Sequence, residues 1–174
     1  MTYSLLIWAM FAISIFWGMG VYNRLMRMRA KGLEAMVTLD RYLLRYDALV
    51  HAHLGADMDQ DASEWGELQK ALSALNRACQ GVRVSPLGEE AVRMLALSYQ
   101  TLQDAWSDLR ESPDDLAGQR LPEGLQVEWE RISQKVMRAR NIYHQIATEY
   151  NLALKQFPAN LLVRVAGFKA AGTL

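Results

Sequence analysis

MTYSLLIWAMFAISIFWGMGVYN, residues 1–23, holds no charged side chain and runs straight into RLMRMRAKGLEAMVTLDRYLLRYDALVHAHL, residues 24–54. How this junction is read decides the fold. Leu5 to Val21 is apolar apart from Ser14, Gly18 and Gly20. About twenty such residues, at roughly 1.5 Å each, span the roughly 30 Å hydrocarbon core of a bilayer as a helix. A basic collar of Arg24, Arg27, Arg29 and Lys31 follows at once. The stretch has no positively charged leader, its apolar run is long, and no A-x-A-like site follows, so an uncleaved anchor is expected. The positive-inside rule then places the chain after Val21 in the cytoplasm and the N-terminus outside.

Past the collar the apolar pattern continues at helical spacing through Leu25, Met28, Met36, Leu39, Leu43, Tyr46 and Val50, with Gly32 the one interruption. Anchor and stalk therefore read as one helix reaching to about residue 54. A polar turn at Gly55–Asp61 precedes a second helix over about 62–80, where Asp61 and Glu64 have capping-box spacing. GVRVSPLG breaks that helix. Ser85 and Pro86 suit the N-cap and first position of a third helix over about 86–110. After the Pro- and Gly-rich loop Glu111–Gly124, the seam Leu125, Trp129, Ile132, Val136, Ala139, Tyr143, Ile146, Tyr150, Ala153, Phe157 marks a fourth helix over about 125–157, stopped by Pro158.

No stretch alternates polar and apolar long enough for a strand. The fold expected is all-α: a transmembrane anchor over 1–23, and over 24–174 a cytoplasmic antiparallel four-helix bundle with a short C-terminal helix at about 159–167. Helix 4 then travels back toward the bilayer, bringing Phe157 and Pro158 close to Tyr22 and Asn23. With 174 residues, the part outside the membrane is one modest domain. Its 19 basic and 19 acidic residues balance, so nucleic acid is not an expected partner. The single cysteine, Cys79, rules out an intrachain disulfide framework.

His51 and His53, at i and i+2, point about 200° apart on a helix and cannot share a metal there. His144 stands alone. Cys79 lies on an apolar helix face and reads as core. Asp57, Asp59 and Asp61 resemble part of a calcium loop, but its twelfth position would be Leu68, which carries no ligand atom. No catalytic, cofactor-binding or metal site is expected.

The expected contacts are with lipid. Trp8 and Trp17 lie in the apolar stretch, and the collar draws anionic headgroups at about 1 kcal/mol per residue or serves topology alone. In the tail, Leu161, Leu162, Val165 and Phe168 group together, with Arg164 and Lys169 in reach of headgroups. That segment either lies in the interface as a second membrane contact or caps the bundle by packing on helix 4.

Arg140-x-x-Tyr143, Tyr150-Asn151, Phe157-Pro158-x-Asn160-Leu161 and Gly167-Phe168-Lys169 occur in order, after Tyr22-Asn23-x-Leu25, Met28-Arg29, Ala35 and Leu39-Asp40 nearer the N-terminus. In these motifs the chain resembles the LemA family. It departs from the family along helix 1: where the family usually carries KRR-x-DLIPNLV, this chain reads Leu44-Arg45-Tyr46-Asp47-Ala48-Leu49-Val50-His51. Likewise Tyr143-His144 stands where the family often has Tyr-Asn.

The resemblance implies a single-pass protein of the bacterial inner membrane with a cytoplasmic helical bundle and no established enzymatic activity. Some relatives, magnetosome proteins among them, are linked to building intracellular membranes, others to envelope stress or signalling. Tyr22, Asn23, Asp40, Arg140, Tyr143, Tyr150, Asn151, Phe157 and Pro158 are then structural residues of the family motifs; of these, Asp40, Arg140, Tyr143 and Asn151 are polar residues on or beside core seams, where hydrogen bonding would fix helix register. The function expected is a membrane-anchored, non-enzymatic scaffold that organises or remodels the bacterial inner membrane and self-associates through its bundle and its anchor, whose Ala12, Ser14, Gly18 and Gly20 offer small surfaces. The alternative is an adaptor that binds a partner protein in envelope-stress or membrane signalling, with Trp65 and Trp129 as candidate contacts if they lie outside the core.

Overall fold

The computed structural model describes residues 2–53, 64–111, 122–157, 159, 160, 163 and 167–174. Among them are four helices and no strand: α1 (Thr2–His53), α2 (Glu64–Val84), α3 (Glu89–Glu111) and α4 (Glu123–Lys155). α1 is one unbroken helix, as its pattern predicts, and at 52 residues the longest. The Gly55–Asp61 turn, the Asp61 cap, Pro158 and the loop at 112–121 lie outside the described residues.

Helix boundaries differ from the expectation at the α2–α3 junction. α2 does not end at Gln80 but continues through Gly81 to Val84. A glycine inside a helix costs about 1 kcal/mol against alanine, whereas burying Val82, 2% exposed, returns about 1.5–3 kcal/mol. Nor does Ser85-Pro86 open α3. Those residues form a tight turn in which the Gly88 N–H donates to the Ser85 carbonyl (3.0 Å), and the first α3 bond runs from the Val92 N–H to the Gly88 carbonyl. The turn docks on α1 at Gly32, where a Cβ would stand 3.3 Å from Leu87 Cδ2. The glycine that interrupts the helical pattern is thus the landing place of the α2–α3 turn.

α1 packs along α4, α2 along α3, and α1 touches α2. Along the first pair, Trp17 meets Phe157 and Tyr46 meets Trp129, so early α1 lies beside late α4. Between α1 and α2, Asp47 accepts from Asn76 (3.0 Å) and Asp40 from Arg83 (2.9 Å). The core is one apolar cluster drawn from every helix. Its centre is aromatic: Trp106 stacks on Trp129 at 4.0 Å, and Tyr46 lies 4.5 Å from Trp129. The Tyr46 hydroxyl shares a 2.8 Å hydrogen bond with Ser133 Oγ and accepts one from Gln103 Nε2.

Burial decides the place of two tryptophans and corrects the reading of Phe157. Trp65 and Trp129 are 4% and 2% exposed, so neither presents a ring to a partner. Phe157 is not the last residue of the α4 seam. The helix stops at Lys155, and Phe157 is 76% exposed, because the backbone turns outward at Gln156.

Candidate membrane face

One helix among the described residues, α1, is long and apolar enough to cross a membrane, and none of its apolar stretch is buried within the protein. Large side chains point outward all round: Trp8, Phe11, Phe16 and Trp17 are each at least half exposed. A soluble helix with an apolar stripe would bury one side of it; a helix apolar on every side calls for an apolar surrounding. The first buried residue of α1 among those described is Leu25, 1% exposed. Trp8 stacks edge-on to Phe11 at 6.2 Å, and the Trp17 ring lies 6.3 Å from that of Phe157. Phe157, just past the end of α4, thus lies beside Trp17, about a turn and a half nearer the start of α1 than the Tyr22–Asn23 contact expected.

The collar is exposed at Arg24, Arg27, Arg29 and Lys31, and among the described residues none of the four has a carboxylate partner. The Arg27 guanidinium donates at 3.4 Å to the Asn23 carbonyl one turn back.

The tail divides. Arg164, Leu161, Leu162 and Val165 lie outside the described residues. At Gly167 the backbone turns with φ +68°, a left-handed conformation natural to glycine, and residues 168–174 run on without regular secondary structure. They strap back over the helices. Asn151 Nδ2 donates to the Ala171 carbonyl while the Ala171 N–H donates to Asn151 Oδ1, both at 2.8 Å. The Tyr143 hydroxyl donates to the Gly172 carbonyl (2.8 Å), the Tyr150 hydroxyl to the Lys169 carbonyl (3.2 Å), and the Gly172 N–H to the Leu87 carbonyl (3.0 Å). Burial raises the Tyr143 hydroxyl to about 12 and also raises that of Tyr150. Phe168, expected as a lipid contact, is 8% exposed and packs on the Tyr22 ring at 5.7 Å. Its ring serves the protein interior; Lys169 beside it is exposed.

The motif residues therefore fall into groups. Tyr143, Tyr150 and Asn151 converge on the C-terminal strap, and Tyr22 meets it through Phe168. Asp40 pairs instead with Arg83, its Oδ2 accepting at 2.9 Å; its buried Oδ1 has no hydrogen-bond partner among the described residues, and its carboxylate neighbours Cys79. Arg140, Asn23 and Phe157 are on the surface. Burial and the neighbouring Asp40 carboxylate push the Cys79 thiol up to about 12, which makes it a packing residue and a poor nucleophile. His51, His53 and His144 are exposed, and among the described residues no three His, Cys, Asp or Glu side chains gather to hold a metal. Nothing in the sequence pattern pointed to backbone atoms of 169–172 as the partners of Tyr143, Tyr150 and Asn151. Their placement at i, i+7 and i+8 on one α4 face was the available signal.

The class defined here is an all-helical bundle with a long apolar N-terminal helix and a C-terminal strap. The model of the LemA family matches residues 90–174, which take in α3, α4 and the strap. The chain is consistent with a LemA-family member. No curated protein and no solved structure matches it.

Proposed function

We propose that the chain is a non-enzymatic scaffold of the bacterial inner membrane, anchored by α1 with its N-terminus outside, which self-associates and organises or remodels that membrane. Its four helices act as a rigid antiparallel bundle standing on the bilayer. The observation that carries this reading is the continuity of α1: the exposed apolar stretch and the packed stalk are one helix, so the bundle cannot swing independently of its anchor. Phe157 beside Trp17 gives the bundle a second contact at the membrane level, which favours a fixed tilt. Fixed tilt repeated over neighbouring copies is what membrane shaping requires. Lipid and further copies of the chain are the partners, and no cofactor is invoked. The adaptor alternative loses its two tryptophan contacts to the core.

The test is overexpression in a bacterial host, with electron microscopy of cell sections and sizing of the purified chain in mild detergent. Extended or reorganised inner membrane and a discrete oligomer are expected. Unaltered membranes together with a monomer would sink the scaffold reading, and capture of one stoichiometric foreign protein by cross-linking would favour the adaptor.

A further inference from the structure

A cleft of about 550 Å³ opens where α1, the α2–α3 turn and the C-terminal strap meet, walled by Arg29, Ser85, Glu89, Tyr150, Lys169 and Ala170. We propose that this cleft is a binding site for the phosphodiester headgroup of an anionic membrane lipid, a defined seat within the otherwise diffuse basic collar. The inference rests on the membrane-anchored reading above and deepens it.

Position comes first. Arg29 is eight residues beyond Val21, about 12 Å along α1, and its long side chain can lean back toward the headgroup layer. Lys169 follows Phe168, whose ring sits on Tyr22, so the far wall is held at the level of the collar. Both cations are exposed, and among the described residues neither is paired with a carboxylate.

Charge and shape then choose the ligand. Arg29 and Lys169 against Glu89 leave the cleft one positive charge in excess, which complements a phosphodiester with its single negative charge. Inorganic phosphate, a mixture of monoanion and dianion at neutral pH, fits less well beside the Glu89 carboxylate. Arginine presents a planar fork to phosphate oxygens, lysine a point charge, and the exposed Ser85 hydroxyl adds a donor. The Tyr150 hydroxyl is already committed to the Lys169 carbonyl and holds that wall in place. Val84, 89% exposed, lines the same cleft and offers an apolar contact that a glycerol and acyl chain would cover but a free ion would not.

The test uses the full chain in mild detergent, with native mass spectrometry reading retention of phosphatidylglycerol, phosphatidylcholine or inorganic phosphate. Selective retention of phosphatidylglycerol is expected. Arg29→Gln and Lys169→Gln should each weaken it about fivefold, and Ala170→Trp, which fills the cleft without changing charge, should weaken it at least as much. Arg24→Gln, outside the cleft, should have less effect than either charge variant. Circular dichroism confirms that each variant folds. Equal loss from Arg24→Gln and Arg29→Gln, indifference to Ala170→Trp, or no retained phosphatidylglycerol would each overturn the cleft. Displacement by inorganic phosphate at matching concentration would overturn a lipid as its occupant. Cell fractionation separates the two readings: a wild-type chain absent from membranes refutes the anchor, whereas a membrane-bound chain with cleft-insensitive retention refutes the site alone.

Discussion

Replacing Asn151 with alanine removes two of the hydrogen bonds that tie the strap to α4, both of them to Ala171. The donor to the Ala171 carbonyl and the acceptor for the Ala171 N–H go together, each a 2.8 Å contact. A typical bond contributes about 1 kcal/mol net, and a buried group left unpaired costs about 1–3 kcal/mol. Ala171 is 6% exposed, so its two backbone groups find little water where they stand. The strap should therefore be loosened by about 2–4 kcal/mol. Tyr143, Tyr150 and Leu87 still hold its neighbours, so the loss appears as local opening rather than global unfolding. Amide hydrogen exchange on the full chain in detergent reads this directly: protection at Ala171 should fall by about 30- to 1000-fold. Asn151→Asp keeps an acceptor for the N–H but removes the donor, and should fall between. Ala171 protection within about threefold of wild type in Asn151→Ala would refute the clamp, since such a change is under about 1 kcal/mol.

Other perturbations probe packing and titration. Gly172→Ala would set a Cβ 2.8 Å from Val92 Cβ and 2.9 Å from Glu89 Cα, and should destabilise by about 1–3 kcal/mol in denaturant titration. Gly124→Ala, with nothing within 4 Å, should not, and equal behaviour of the two would contradict the close approach. Trp129→Ala empties the centre of the aromatic core and should cost about 3–5 kcal/mol, measured as a lower denaturation midpoint at unchanged slope; a cost below about 1 kcal/mol would be incompatible with the stacked pair. Cys79 and Tyr143 are raised from 9.0 and 10.0 to about 12. The unfolded chain thus gives up protons that the folded chain keeps, and stability should fall as pH rises from about 9 to about 12. Cys79→Ala should flatten that fall, and an identical pH profile in the variant would discount the thiol.

Much of the fold was legible because helix formation leaves a local signature. The 4-3 seam of Leu125 to Ala153 and the uncharged run before Arg24 each determine an element without reference to the rest of the chain. Boundaries were less legible where tertiary contact competes with local preference. Ser85 and Pro86 are good helix starters in isolation, yet seating Leu87 on Gly32 and burying Val82 turn them into a connector. Trp129 shows the same limit from the side of burial. Its position on the seam was evident, but whether its ring met solvent depended on Trp106 and Tyr46, far away in sequence.

For the membrane face the division is sharper. By itself the sequence determined an all-helical chain, an apolar segment of spanning length and the basic collar next to it, because hydropathy, charge and helical period are properties of neighbouring residues. Tertiary structure alone decided that Phe168 is buried while Phe157 is exposed beside Trp17, that Tyr143, Tyr150 and Asn151 hold the backbone of the strap, and that Arg29 and Lys169 face one cleft. The physical reason is that a strap without regular secondary structure has no periodicity to read. Its path is set by which carbonyls and N–H groups the helices leave for it, and those exist only once the helices have packed.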